Sequence, residues 1–328
     1  MTYSAGSTIV ATDYNGFVST NGANVNGIWS TGATSSGYGE AALSTVAAAA
    51  IVTATQWATL NSKISTMASQ QGTTITSRTN PTAGTTIAIL AALSTDITAI
   101  TTNRANAAAS GAQYTSWTGT NSKTTGTGSA NAAWTITFTS TVTFPSANAA
   151  RYFFNAGGRI KHDTNKTSTG QDGDAEWNDL ATTLCGDIYI TGVAASKTIA
   201  ASTYTGTTKV GGTGTPNTLA TNVGWYDLLT TDTQIYRQYA DTAPYTGQYI
   251  SVNAKTAGAG TQLVLTTTWV DPGGDPAPGG TNLISGGTAA SGATPGTAPC
   301  TIVTYYPPSS TYLTSAAWGI PTIASTVA

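Results

Sequence analysis

Two periodicities divide the chain. Up to about residue 110 the apolar residues that show a pattern recur every three or four positions, and from Trp134 onward they mostly alternate with polar ones. Trp57, Leu60, Ile64 and Met67 fall at spacings of three, four and three, which sets them on one face of a helix opposite Thr59, Ser62, Lys63 and Ser65. Thr53 or Thr55 suits the N-cap, and Gly72 after Gln70-Gln71 supplies a stop. A shorter helix from Ala41 to Ala50 precedes it. Thr85 or Thr86 can cap a second long helix with Leu90, Leu93, Ile97 and Ile100 on one stripe, ending before Gly111. The two read as an αα-hairpin whose interface is Trp57, Leu60, Ile64, Leu90, Leu93 and Ile97. The stripes pack against each other or against the same helices of neighbouring copies; sustained heptads are missing.

Before the hairpin, residues 1–40 are rich in Gly, Asn, Ser and Thr with spaced aromatics (Tyr3, Tyr14, Phe17, Trp29, Tyr38) and read as an extended docking arm. Within it, residues 9–15 read as a short strand followed by a cap, with Thr12 or Asp13 in the N-cap role. Residues 111–133 form a Gly/Ser/Thr linker between the helical region, 41–110, and a β-rich domain, 134–328.

The β-rich domain opens on a strict alternation. Trp134, Ile136, Phe138, Val142 and Phe144 share one parity, and threonines fill most of the other, a half-buried strand with a β-branched polar face. Arg159–His162, Asp187–Thr191, Gly224–Leu229, Gln234–Tyr239, Gln248–Ala254, Gln262–Val270 and Thr301–Tyr306 read as further strands. Between them lie a polar loop over 163–174, a short helix over 175–184 with Trp177, Leu180 and Leu184 on one side, a long Gly/Pro loop over 271–299 and an extended tail from Trp318. The predicted class is α+β: an N-terminal loop and helical hairpin, then an antiparallel β-sandwich-like domain carrying a short helix.

The hinge between the halves is TFPSANAARYFFNAGGRI. Ala147 to Phe154 reads as one or two helical turns, with Phe153 and Phe154 plugging the sheet. Asn155 and Gly157-Gly158 provide positive-φ positions that turn the chain into the next strand. Phe144, Tyr152, Phe153, Phe154, Asn155, Gly157 and Gly158 are therefore expected to act as a structural device.

Composition narrows the functional classes. Only 8% of the 328 residues are charged, yet 40% are apolar and 9% aromatic; soluble proteins average about 25% charged. A core is within reach, and the surface must be built from Thr, Ser, Asn and Gly. Weak charge gives little colloidal repulsion, which favours obligate assembly. The net charge of −2 and the lack of any Lys/Arg cluster argue against nucleic acid. The opening MTYSAGSTIVATDYNGF has no basic region followed by an apolar run, so no secretory signal is expected. The most apolar run, Ala47–Val52, is far short of the roughly 20 residues that cross a bilayer, so no membrane insertion is expected.

Chemistry-bearing residues are few. Cys185 and Cys300 form neither a disulfide framework nor a zinc set; a single bridge is open, but two buried free thiols are the expectation. His162, the only histidine, is expected at a surface or interface and not as a catalytic base. Asp172, Asp174 and Glu176 are the densest acidic group but lack the twelve-residue calcium-loop pattern, and read as a solvated turn with helix-start acids. Trp225, Tyr226, Tyr236 and Tyr239 could stack on sugars, with sheet core and subunit contact as the favoured reading. We expect no enzyme, no catalytic residues, no metal and no cofactor.

VTFPSANAARYFFNAGGRI resembles a segment of virion structural proteins of tailed bacteriophages, in particular contractile-tailed phages of cyanobacteria and marine bacteria. ATDYNGF, GYGE, TATQWATLNSKISTMASQQGT, AEWNDL, GWYDLLTTDTQIYRQYADTAPYTGQYISVNAKT and YYPPSSTYLTSAAWGIPT are similar to other segments of that family, in the same order, so the resemblance spans most of the chain. Two departures stand out: Gln70 replaces the family's usual His before Gln-Gly-Thr, and the loop over 271–299 is long. The resemblance implies a virion component of the tail, baseplate or fibre, made in the host cytoplasm and released by lysis. The implied partners are further copies of itself, in trimer- or hexamer-related symmetry, and other virion proteins. A neck, collar or capsid-decoration protein and an adhesin for a host receptor or surface glycan are the alternatives.

Overall fold

The computed structural model describes residues 10–19, 24–82, 90–108, 121–122, 133–167, 172–273, 300–306, 308, 311–313 and 317–328. The fold is α+β, with a helical N-terminal region and antiparallel sheets mostly in the C-terminal part. The helices are α1 (Ala11–Val18), α2 (Val25–Trp29), α3 (Ala54–Gln71), α4 (Leu90–Thr102), α5 (Ala147–Asn155) and α6 (Asp172–Asp179), the last continued by a π turn over Leu180–Leu184. The strands are β1 (Asn121–Ser122), β2 (Trp134–Thr143), β3 (Arg159–Asn165), β4 (Asp187–Ile190), β5 (Lys197–Ile199), β6 (Ser202–Tyr204), β7 (Thr207–Val210), β8 (Thr218–Leu219), β9 (Thr233–Tyr239), β10 (Tyr249–Ala257), β11 (Gln262–Asp271), β12 (Cys300–Tyr306) and β13 (Thr322–Val327).

Two sheets face each other. One has the order β1-β12-β3-β4-β7 and the other β13-β2-β11-β10-β9-β8; β5 and β6 form a separate hairpin. The margins of the two sheets approach each other, β1 beside β13 and β7 beside β8. The long pairing is β2 with β11, in continuous register from Trp134↔Asp271 to Thr143↔Gln262. The predicted alternation is realised along β2: Trp134, Ile136, Phe138 and Val142 point into the core. Ser140 keeps the same inward parity and satisfies its hydroxyl against Ser325 of β13 at 2.7 Å. The tail expected as merely extended thus becomes β13, the strand that covers the edge of β2.

α3 begins and ends where its caps predict. The Thr53 hydroxyl accepts the Gln56 N–H, the Gln56 side chain accepts the Thr53 N–H, and Gly72 closes the helix at φ 68°. Trp57, Leu60, Ile64 and Met67 from α3 and Leu93, Ile97 and Ile100 from α4 are all buried. They join one continuous apolar cluster with the inner faces of both sheets. Leu90 stands at the start of α4; its side chain and the expected caps at Thr85 and Thr86 lie outside the described residues.

Within the segment expected as an extended arm, with a short strand and cap over 9–15, Ala11–Val18 forms α1 and Val25–Trp29 forms α2 instead. Tyr14 and Phe17 meet the Trp57 ring edge-on at 5.4 and 6.2 Å. Asn15 and Asn26 then act as adaptors for the segment that follows. Each side-chain amide donates to and accepts from one backbone residue, Val46 for Asn15 and Leu43 for Asn26, with all four bonds at 2.8 Å. This pairing holds 43–46 extended, which is why the helix expected over 41–50 does not form. The described part of 10–40 is therefore folded into the core and is not a free arm. Asp13 serves α1 from inside its first turn, accepting the Val10 N–H at 3.0 Å, and not as the N-cap.

Other differences have local causes. β3 runs on to Asn165, into the expected polar loop, because β12 pairs with its whole length. Gly224–Leu229, expected as a strand, contains a 3₁₀ turn because the Asp227 carboxylate accepts the Gly224 N–H at 2.9 Å. The helix expected over 175–184 begins earlier, at Asp172, and changes pitch at Leu180. Apart from β1 and residue 133, the 111–133 linker lies outside the described residues, as does the loop from 274 to 299.

His162 lies in the core, not at a surface: it is 1% exposed, and its Nε2 lies 2.7 Å from the Thr267 hydroxyl, bridging β3 of one sheet to β11 of the other. Burial, and secondarily the Lys161 charge, push its pKa down from 6.5 to about 4. The folded imidazole is neutral, so between those values the unfolded chain binds the extra proton. Its stabilising contribution is therefore full above about pH 6.5 and is lost as pH falls towards 4, by about 3 kcal/mol. Denaturant titrations across that window should show the decline, and His162→Gln should flatten it. An equally steep decline in the variant would assign it to other groups.

Candidate functional site

The FFNAGG stretch is built on α5. Ser146 caps it, its hydroxyl accepting the Ala149 N–H at 3.0 Å. Helical spacing then sends Ala149, Ala150, Phe153 and Phe154 inward and leaves Arg151 outward. Phe153 stacks on Tyr305 of β12 at 4.7 Å and Phe154 stacks on Trp225 at 5.0 Å, while Phe144, just past β2, touches all four rings. This cluster closes the Phe144 end of β2. At the Trp134 end a second cluster mirrors it: Trp177 of α6 packs between Trp134 at 4.9 Å and Trp269 at 5.6 Å. The sandwich is thus plugged at both ends of its longest strand pair, by one helix at each.

The turn after α5 works differently from expectation at two of three positions. Asn155 is the last helical residue and has no positive φ. Gly157 does, at 91°, and a Cβ there would also stand 2.6 Å from the Ala107 Cβ. Gly158 needs no special φ; it is required because a Cβ would sit 2.5 Å from the Phe153 ring.

Asn155 is instead a polar junction. It is 3% exposed. Its Nδ2 donates to the carbonyls of Ser36 at 2.8 Å and Gly37 at 3.0 Å, and its Oδ1 accepts the Tyr226 hydroxyl at 2.7 Å. Burial, the largest influence, pushes the Tyr226 pKa well up, so the phenol keeps its proton. Beside it the Arg151 guanidinium donates to the Thr31 carbonyl at 2.7 Å, and Gly39, at φ 81°, lets the Tyr152 ring lie against the chain. Gln70, at the position of the family's usual His, is fully buried and donates to the Ala156 carbonyl at 3.2 Å. Gln71 donates to the Tyr38 hydroxyl at 2.7 Å, which donates on to the Arg104 carbonyl at 2.7 Å. The last turn of α5 and Ala156 therefore gather α3, the 31–39 segment and the 225–227 turn.

These contacts leave little space. A cavity of about 70 Å³ lies beside Phe154 and Asn155, with Arg104 and Lys197 on its walls; sites for small organic ligands usually measure about 300–1,000 Å³. The helix-hairpin residues, Trp57, Leu60, Ile64, Leu93 and Ile97, are buried within the chain and present no outward stripe. Of the four aromatics weighed as a sugar platform, Trp225 and Tyr236 are buried and Tyr226 is bonded to Asn155. Tyr239 is half-buried and pairs with Tyr249 across β9 and β10 at 5.1 Å, and the Arg237 guanidinium lies 4.7 Å from the Tyr249 ring. Cys185 is a buried free thiol, its pKa pushed by burial up to about 12; the Cys300 side chain lies outside the described residues.

On the outer face of the six-stranded sheet, the part formed by β13, β2 and β11 is uncharged, while β9 and β10 bring Arg237 and Lys255 to the same face. Thr135, Thr137, Thr139, Thr141 and Thr143 of β2 point outward, flanked in register by Thr266 and Thr268 of β11 and by Thr322 and Thr326 of β13. The outward positions of these three strands carry no charge.

Comparison of the chain with protein-family models, curated proteins and solved structures found no match.

Proposed function

We propose that the chain is a structural component of a tailed-bacteriophage virion, associated with the tail, baseplate or fibre, and that it acts through assembly contacts. The carrying observation is the uncharged threonine face on β13, β2 and β11. A solvated sheet face ordinarily carries Lys and Glu, which repel edge and face association. A neutral face, here mostly Thr with Gln262, Val264, Val270 and Ala324, packs on another neutral face without burying an unpaired ion. Two helical plugs and the Asn155 junction support the same reading, since they hold that face rigid. The resemblance of the FFNAGG stretch and its ordered companions names the kind of assembly.

Native mass spectrometry of the purified chain and peptide mapping of purified virions test the proposal together. An oligomer in solution and a fixed copy number in the particle, in multiples of three or six, are expected. A stable monomer at micromolar concentration that is absent from virions would overturn it. The Tyr239–Tyr249 pair under Arg237 is the observation that favours an additional glycan contact; a glycan array on the wild type and on Tyr249→Ala decides it, and binding unchanged by the substitution removes it.

A further inference from the structure

The acidic residues of α6 acquire a partner from a distant part of the chain. Glu176 and Asp179 stand three positions apart, on one face of the helix. The connection leaving β9 brings Asp241 to them, and one carboxylate oxygen from each of the three lies within 4.8 Å of the others. The surroundings differ: Asp241 is exposed, Asp179 is half-buried and Glu176 is only 6% exposed. The Glu176 Oε1 atom is buried and has no hydrogen-bond partner among the described residues.

We propose that Glu176, Asp179 and Asp241 form a calcium site that ties α6 to the β9–β10 connection. A buried carboxylate oxygen with no donor, beside two more carboxylates, is a costly arrangement unless a positive charge joins it. The charged groups gathered at Glu176 are Asp179 and Asp241, both acidic like itself. The donor set is all oxygen, which selects a hard cation over zinc. Calcium accepts carboxylates in a flexible geometry, as a site shared by a helix and a connection supplies, whereas magnesium demands near-ideal octahedral geometry and keeps several of its waters. The exposed side at Asp241 gives an entry path and room for the waters that complete a coordination number of about six to eight. The sequence motif had no calcium-loop pattern because the site is assembled from two elements and not from one loop. Trp177 follows Glu176 directly, so a cation here fixes the helix that plugs the Trp134 end of the sandwich.

The test is thermal unfolding and calorimetric titration of the full chain, in chelator and in millimolar calcium chloride. Calcium is expected to raise the Tm of the wild type by several degrees, saturably, and magnesium to raise it less. Glu176→Gln removes the charge but keeps the shape. It should match or exceed the wild-type Tm in chelator, because the repulsion is gone, and should lose the calcium shift. Asp241→Asn, at an exposed position, should fold normally and weaken calcium binding by roughly tenfold or more. Identical wild-type Tm values with and without calcium, with no heat of binding, would overturn the proposal. A calcium shift that survives in both variants would place the ion elsewhere and overturn it equally.

Discussion

Phe153→Ala lowers the unfolding free energy by about 3–5 kcal/mol, the largest single effect expected in the chain. The side chain is fully buried and sits within 5.2 Å, centroid to centroid, of Phe144, Phe154 and Tyr305. Truncation removes a stacked ring and opens a cavity among neighbours that cannot collapse, because Phe154 is held on Trp225 and Tyr305 is held by a hydroxyl donating to the Gly319 carbonyl at 2.9 Å. The loss is a large fraction of the roughly 5–15 kcal/mol that holds a domain together. Phe153→Leu, which keeps most of the volume, should cost far less. Urea titration of both variants measures the difference. A loss below about 1 kcal/mol for Phe153→Ala would show that the plug does not close the core. On the proposed function, the alanine variant also fails to enter particles.

Asn155→Ala is expected to cost about 3 kcal/mol through a different mechanism. The substitution leaves the Ser36 and Gly37 carbonyls and the Tyr226 hydroxyl without the partner that now serves all three. Little apolar area is lost; the penalty is desolvated polar groups. Asn155→Asp separates the roles. It keeps an acceptor for Tyr226 but points a carboxylate at two carbonyls, so it should be at least as destabilising as alanine. Hydrogen exchange locates the damage: amides of residues 36–40 should lose protection in both variants, while those of β2 and β11 change less. Uniform loss of protection would mean that the junction is inseparable from the core.

Much of the fold was legible where the signal is local. The alternation in β2, the stripe and caps of α3 and the inward pair Phe153–Phe154 are properties of a few neighbouring residues, and each appears where its period places it. α1 stands where a strand and cap are expected: Ala11, Tyr14, Phe17 and Val18 lie at helical spacing, but Asn15 and Gly16 between them are residues that favour turns. Asn15 is there for its side chain, which pairs with Val46 far along the chain. Gly224–Leu229 departs from the expected strand for the converse reason: a short apolar run has no period of its own, and the Asp227 cap decides its conformation.

The candidate sites divide in the same way. The aromatic plug could be read from FPSANAARYFFNAGG alone, since adjacent aromatics before a Gly-Gly must go inside and the chain must turn. Asn155 as a junction could not, because its partners at 36, 37 and 226 carry no mark of the contact. Neither could the meeting of Glu176 and Asp179 with Asp241, or His162 with Thr267. The sequence by itself determined the inward apolar face of the strongly periodic segments and the ends of α3, because hydrophobic period and capping act over a few positions. Only the tertiary structure decided which polar groups meet, because strand order and register bring together residues with no local relation, and a buried polar atom's partner is a matter of that placement.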